Sequence, residues 1–204
     1  MAEAYIVDAV RTAGGRRGGK LAGWHPADLA GEVLNALVDR SGIDPAAIED
    51  VVLGCVTQAG EQGFAFGRNA VLASKLPESV PAVPIDPPCG SSQAIQFAAQ
   101  AVMSGTQDVV IAAGAESMTR VPMFSNIALH IKEGLGAGPV SPRIAARFGV
   151  KNFSQFEGAE MIAKKYGFDR ATLDAFALES HRRGGPATDA RALPRESGPV
   201  GRDR

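Results

Sequence analysis

Short apolar runs alternate with helix-like segments through the first 114 residues, and this alternation limits the fold more strongly than any other feature of the sequence. The apolar runs are Tyr5–Val10, Val51–Thr57, Ala82–Ile85 and Asp108–Gly114, and the helix-like segments between them are Pro26–Arg40, Arg68–Lys75 and Ala94–Met103. Short apolar runs indicate buried strands, whereas apolar spacings of three and four indicate helices. The order β, α, β, α, β, α, β predicts an α/β fold, a layered sheet with right-handed crossovers.

Three of these segments carry further expectations. Ala82–Ile85 contains Pro84 and follows Pro81, so we expect it at a sheet edge or an interface. Asp108–Gly114 is apolar almost throughout and is expected to be a fully buried parallel strand. The helix Ala94–Met103 has one narrow polar stripe, so we expect it to be buried on most of its circumference.

A tight turn with the sequence DPPCGSSQ, residues 86–93, places Cys89 where a helix begins. The unpaired N–H groups at a helix N-terminus favour thiolate over thiol, so Cys89 is a candidate nucleophile. The alternative is a buried structural cysteine at a turn. Cys55 lies within a strand-like run and is expected to be a small packed residue, because that setting does not lower a thiol pKa.

The character of the sequence changes after Gly114. A long irregular stretch is expected over 121–152, followed by two helices at Phe153–Tyr166 and Asp169–Arg183, with Asp169 as an N-cap. The segment 184–204 is rich in Arg, Gly and Pro and shows no periodicity, so no regular structure is predicted there.

Composition excludes several classes of function. The net charge of -1 does not favour a nucleic-acid partner, and no apolar run approaches the length of a membrane span. Two cysteines are too few for a disulfide scaffold or a cysteine-rich zinc site, and the first residues do not form a signal peptide. A cytoplasmic protein is therefore expected. The basic, glycine-rich loop 11–21 lacks the spacing of a P-loop or a dinucleotide fingerprint, and we interpret it as a surface loop, with phosphate binding as the alternative.

Four stretches together resemble the thiolase family of acetyl-CoA C-acyltransferases. They are DAVRT at 8–12, CGSSQ at 89–93 with AVMSG at 101–105, GAESMT at 114–119, and FEGAE at 156–160. The resemblance runs from Tyr5 to about Arg183, and the motifs are specific in this order and spacing.

The resemblance implies a layered thiolase-type α/β fold. Residues 1–116 would form an incomplete N-terminal domain, residues 117–183 part of a mostly helical loop domain inserted into it, and residues 184–204 an irregular tail. Thiolases make or cleave 3-ketoacyl-CoA through an acyl-cysteine thioester, and Cys89 matches the nucleophilic cysteine. Acyl-CoA and CoA would be the partners, with coenzyme A thioesters as substrates and no separate cofactor or metal. A homodimer or homotetramer in lipid metabolism such as β-oxidation is implied. No CoA-binding residue is assigned.

The resemblance also implies a second half that supplies a histidine base and a second catalytic cysteine. His25, His130 and His181 do not match that histidine. We therefore expect a truncated thiolase chain that lacks full turnover. One alternative is a non-catalytic thiolase remnant that at most self-associates or binds a partner. Another is a ketoacyl synthase, which the stretch Glu116-Ser117-Met118 disfavours.

Overall fold

A computed structural model describes residues 3–86 and 90–189 of the chain. The strands are β1 (Asp50–Gly54), β2 (Ala82–Ile85) and β3 (Val110–Gly114). The helices are α1 (Pro26–Ser41), α2 (Phe66–Leu72), α3 (Gly90–Met103), α4 (Ser125–Lys132), α5 (Pro142–Phe148), α6 (Gln155–Tyr166) and α7 (Arg170–Asp189). The described residues divide into two compact units, 3–129 and 130–189.

The first unit is built on a three-stranded sheet in the order β2-β1-β3, and all neighbouring strands are parallel. At its carboxyl edge, Gly54 of β1 pairs with Ile85 of β2 and with Gly114 of β3. The predicted α/β class with a parallel sheet is thus confirmed. β2 lies at an edge of this sheet, as the prolines predicted.

Helices cover both faces of the sheet. Val51 and Leu53 are fully buried in a core that includes Leu34 of α1 and Phe66 of α2. Because side chains alternate along a strand, Gly54 faces the opposite side, where α3 packs against β1 and β3. The carboxyl end of the central strand therefore lies directly under the first turn of α3.

Local capping explains where α1 begins and ends. The His25 side chain accepts a hydrogen bond from the Ala27 N–H at 3.2 Å through Nδ1, and Pro26 occupies the first helical position. Gly42 ends the helix with φ of 66° and donates its N–H to Val38. His25 is therefore a helix cap.

The second unit is helical among its described residues. Ser141 caps α5 and Ser154 caps α6, each accepting a backbone N–H with its hydroxyl. Asp169 accepts the Thr172 N–H at 2.8 Å at the start of α7, which confirms its prediction as an N-cap. Within 3–86 and 90–189, no helix is long and apolar enough to cross a membrane.

The strand predicted at Tyr5–Val10 is wrong for this structure. The segment is irregular, and Tyr5, Ile6 and Val7 are each more than three-quarters exposed. An apolar run becomes a strand only beside another strand, and none of the three described strands pairs with it. The Asp8 carboxylate, 2.9 Å from Arg40 of α1, ties the segment to the first unit.

Two predictions of deep burial are also wrong. Only Ile111 of β3 is buried, because β3 forms the other edge of the described sheet. In α3 the buried residues are Gly90, Ala94 and Ala98, a stripe that faces the sheet. Ile95 and Phe97 lie on the rest of the helix and are 49% and 42% exposed. Apolar composition alone did not reveal that α3 has the sheet on one side only.

The region after Gly114 is more helical than expected. The stretch 121–152 contains α4 and α5. Helix α7 continues through Gly184, Gly185 and Pro186 to Asp189, beyond the predicted end at Arg183. His181 is consequently inside α7. The structure does not describe residues 190–204, so the prediction for the rest of that segment is not tested, and the proposed domain bounds stay predictions.

Candidate active site

Three glycines allow the first turn of α3 to pack closely against the carboxyl ends of the strands. A Cβ atom on Gly54 would lie 2.3 Å from the carbonyl carbon of Gly90, and one on Gly114 would lie 1.9 Å from Oγ of Ser91. Both separations are far below contact distance. At Gly54 the atoms that would clash are backbone atoms, so only glycine permits the observed approach, whereas at Gly114 the nearest atom is the Ser91 hydroxyl. The backbone itself thus fixes the N-terminus of α3 at the carboxyl edge of the sheet.

The predicted nucleophile, Cys89, lies outside the described residues, as do Pro87 and Pro88. Its position in the chain is directly before Gly90, the first residue of α3. A helix of 14 residues presents unpaired N–H groups at this end and the positive pole of its macrodipole. The helix that the sequence predicted next to residue 89 therefore begins at Gly90.

A groove of about 550 Å³ lies beside this end of α3. Its lining residues come from the turn after β1, from β2 and the residue that follows it, and from α3: Gln58, Pro84, Ile85, Asp86, Gln93 and Phe97. The lining combines apolar side chains with amides and one carboxylate. Such a mixture suits a ligand that has both apolar and hydrogen-bonding parts.

Glu116, just beyond the end of β3, binds the turn that follows β1. Its Oε2 accepts the Val56 N–H at 2.7 Å, and its Oε1 accepts the Thr57 N–H at 3.1 Å and Nε2 of Gln62 at 3.2 Å. Bonds to a carboxylate are stronger than bonds between neutral groups. The turn is thereby attached to the end of β3.

Gln62 completes this network from a fully buried position. Its Nε2 also donates to the Thr57 carbonyl at 2.9 Å, and its Oε1 accepts the Ser117 N–H at 2.6 Å. A buried amide costs little when its donor and acceptor are both satisfied, and here both are. The Gln62 side chain therefore joins the turn after β1, at Thr57, to Ser117 beyond the end of β3.

The rest of the GAESMT stretch and the residue after it hold neighbouring loops. Arg120 donates to both carboxylate oxygens of Glu61, with Nε–Oε2 at 2.5 Å and Nη2–Oε1 at 2.6 Å. The hydrogen bond from Arg120 holds the pKa of Glu61 below its usual value. Thr119 accepts the Gly18 N–H at 3.2 Å, which anchors the basic loop 11–21. That loop is largely exposed, in agreement with its prediction as a surface loop.

Cys55 is packed, as the sequence predicted. Its residue is 1% exposed, immediately after β1, and its N–H donates to the Ile85 carbonyl at 2.9 Å. Burial, followed by the charge of Glu116 and a hydrogen bond to it, raises the pKa of the Cys55 thiol from 9.0 to about 12. A thiol with this pKa is protonated at neutral pH, so Cys55 is a poor nucleophile.

The histidines do not offer a base of the kind that a thiol nucleophile requires. His25 caps α1, His130 lies in α4 and His181 lies inside α7. Among the described residues, no group of three or more His, Cys, Asp or Glu side chains is arranged to hold a metal ion.

Sequence reasoning missed Gly54 and Gln62. The signal for Gly54 was a glycine ending an otherwise apolar strand, which often marks a close backbone approach. Gln62 carried no local signal, because its partners are 5, 54 and 55 residues away in the chain.

Comparison with known proteins matches residues 4–203 to the family described as thiolase, N-terminal domain. The steroid 3-ketoacyl-CoA thiolase FadA6 of Mycobacterium tuberculosis is 46% identical over 187 residues, which cover 90% of this chain and 46% of that protein. The 3-ketoacyl-CoA thiolase FadA of Escherichia coli K12 is 38% identical over 204 residues, which cover 98% of this chain and 50% of that protein. The chain thus spans about half the length of the curated relatives that it matches.

Proposed function

Because the chain belongs to the thiolase family, we propose that it contributes the nucleophilic half of an acyltransferase that makes or cleaves 3-ketoacyl-CoA. The observation that carries this proposal is the fixed N-terminus of α3, which Gly54, Gly90 and Gly114 hold against the carboxyl edge of the sheet. The residue directly before that helix is Cys89. The names of the relatives, 3-ketoacyl-CoA thiolases, support the substrate class.

In the proposed half-reaction, the thiolate of Cys89 attacks the thioester carbonyl of an acyl-CoA. A bond forms between Sγ and the carbonyl carbon, the bond from that carbon to the sulfur of CoA breaks, and CoA leaves as a thiolate that takes up a proton. The negative charge that develops on the carbonyl oxygen is stabilised by backbone N–H donors, and the start of α3 presents such groups. The acyl group then passes to CoA or to the carbanion of a second acyl-CoA.

Mass spectrometry of the chain after incubation with acetyl-CoA tests this half-reaction. We expect an acetyl adduct on the peptide that contains Cys89, and none on the peptide that contains Cys55, whose thiol is buried. Cys89→Ala should lose the adduct, and Cys55→Ala should retain it. A folded wild-type chain without an adduct on Cys89 would contradict the proposal.

We further propose that coenzyme A thioesters are the only small molecules the site requires, and that the protein acts in the cytoplasm in lipid breakdown such as β-oxidation. The groove lining of amides and apolar side chains supports a thioester ligand with an apolar acyl part. Acetylation of Cys89 by acetyl-CoA in the presence of a metal chelator tests the first statement, and fractionation of the source cells tests the second.

The exposed edge of β2 favours a second candidate function, self-association without turnover. Carbonyls of Pro81 and Ile85 point toward β1, so the backbone groups of Ala82 and Pro84 point outward. An unpaired edge can pair with the edge of another chain, and Val83 beside it is 49% exposed. A homodimer or homotetramer formed through this edge is what we propose for the assembled protein.

Size-exclusion chromatography with light scattering, run beside a turnover assay, separates the two candidates. Ala82→Pro removes an outward N–H donor from the edge and should shift the protein toward monomer. Val7→Lys adds a charge to a segment outside the sheet and should leave the mass unchanged. A stable assembly without acetylation of Cys89 favours the second candidate, and acetylation favours the first.

A further inference from the structure

Glu116 follows the end of β3, and its carboxylate binds successive backbone N–H groups on a different part of the chain. Val56 and Thr57 both donate to it, and neither N–H belongs to a strand or helix. Hydrogen bonds to a carboxylate are stronger than those between neutral groups. The Glu116 carboxylate therefore attaches the turn that begins after β1 to the end of β3.

The same turn forms one wall of the groove next to α3. Gln58 follows Thr57 directly and lines the groove, while its Nε2 donates to the Cys55 carbonyl at 3.2 Å. The two residues before Gln58, Val56 and Thr57, thus donate hydrogen bonds to Glu116. The Gln58 side chain is itself hydrogen-bonded to the backbone just after β1. A shift of the Glu116 carboxylate would shift this wall.

We propose that Glu116 is a positioning residue, which holds the turn 56–62 so that Gln58 forms a fixed wall of the acyl-CoA groove beside the start of α3. The part of this proposal that concerns acyl-CoA rests on the proposed function, whereas the part that concerns the turn does not. Glu116 acts through the backbone of the turn and does not itself line the groove.

The matched control for Glu116 is Glu61. It also joins the turn to the stretch after β3, but it does so through the Arg120 side chain and not through the backbone N–H groups of residues 56 and 57. Glu116→Gln and Glu61→Gln each replace one charge by a neutral amide of similar shape. Only Glu116→Gln places an amide NH2 group next to backbone N–H donors, those of Val56 and Thr57.

Hydrogen exchange of the Val56 and Thr57 amides, followed by NMR, is the first readout. Both N–H groups donate to the Glu116 carboxylate. Glu116→Gln should therefore speed their exchange on the order of tenfold or more, because the local opening of the turn becomes easier. Glu61→Gln should leave these two exchange rates as in the wild type.

The second readout is the dependence of Cys89 acetylation on acetyl-CoA concentration. A displaced groove wall weakens binding more than it alters the reacting atoms, so Glu116→Gln should raise the half-saturating concentration on the order of tenfold and change the limiting rate less. Glu61→Gln should change neither by more than about twofold. A loss of stability alone would not produce this split at a temperature where both variants are folded.

Equal amide exchange in Glu116→Gln and wild type, or equal changes in Glu116→Gln and Glu61→Gln, would overturn the inference. If Glu116→Gln does not fold, Glu116→Asp serves in its place, because it is too short to reach both N–H groups. If the folded wild-type chain acquires no acetyl group on Cys89, the proposed function fails, and the exchange of the Val56 and Thr57 amides alone then decides whether Glu116 holds the turn.

Discussion

The backbones of Gly54 and Gly90 lie so close together that a Cβ atom on Gly54 would stand 2.3 Å from the carbonyl carbon of Gly90. Gly54 ends the central strand and Gly90 begins α3. No rotamer change can relieve such a contact, because the atoms that meet are backbone atoms.

Gly54→Ala should therefore destabilise the chain and move the start of α3. We expect a loss of at least 1–3 kcal/mol in the free energy of unfolding, the usual cost of overpacking, measured by urea denaturation. Gly158→Ala is the matched control, since it lies within α6 with open space at its Cβ position. That change should stabilise by about 0.5–1 kcal/mol. Equal effects of the two substitutions would contradict the close approach.

Cys55 should make the stability of the chain fall at high pH. Its thiol pKa is about 12 in the folded chain and near 9.0 when unfolded, so only the unfolded state loses the proton between these values. The free energy of unfolding should then decrease as pH rises from about 9 to 12, and it should be insensitive to this thiol below pH 9. Denaturation of the wild type and of Cys55→Ala across this range measures the difference. Parallel pH curves for the two proteins would count against it.

Asp169 should make α7 sensitive to acid. Hydrogen bonds from Thr172 hold the pKa of the Asp169 carboxyl below its ordinary value of 3.8. The stabilisation is present above pH 3.8 and is lost as pH falls through the lowered value. NMR titration of the Thr172 amide should show this transition in the wild type. In Asp169→Asn, which keeps a capping oxygen but does not ionise, the transition should be absent.

Pro186 should limit the stability of the end of α7. A proline inside a helix cannot donate an N–H, and its ring crowds the preceding turn, at a cost of about 3 kcal/mol. Pro186→Ala should increase the helix content measured by circular dichroism. Pro142→Ala is the control, because Pro142 occupies the first turn of α5, where proline is well tolerated. A gain in helix for Pro142→Ala as large as that for Pro186→Ala would refute this explanation.

Elements with local signals were predictable from the sequence. The strand Ala82–Ile85 has the predicted bounds, because prolines limit it, and α1 begins at the predicted Pro26, because apolar residues at helical spacing follow it. Asp169 was identified as an N-cap because its short carboxylate can accept an N–H group of the first helical turn. In each case the residues that decide the structure are neighbours in the chain.

Features that depend on distant partners were not predictable. Tyr5–Val10 has the composition of a strand, but composition does not provide a strand to pair with. The stretch GAESMT pointed to a family, yet the sequence did not show that Glu116 binds N–H groups 59 and 60 residues earlier in the chain. The candidate nucleophile Cys89 stays a prediction, although the helix directly after it is where the sequence placed it.

The glycine contacts under α3 also decide what can vary around the site. Side chains in a core can exchange volume with their neighbours, so their positions drift as sequences diverge or as temperature rises. Gly54 and Gly90 have no side chain to exchange, and the helix meets the central strand there main chain to main chain. The height of α3 above the sheet at residue 90 is thus fixed by backbone contact, and the side chains around it can change without altering that height.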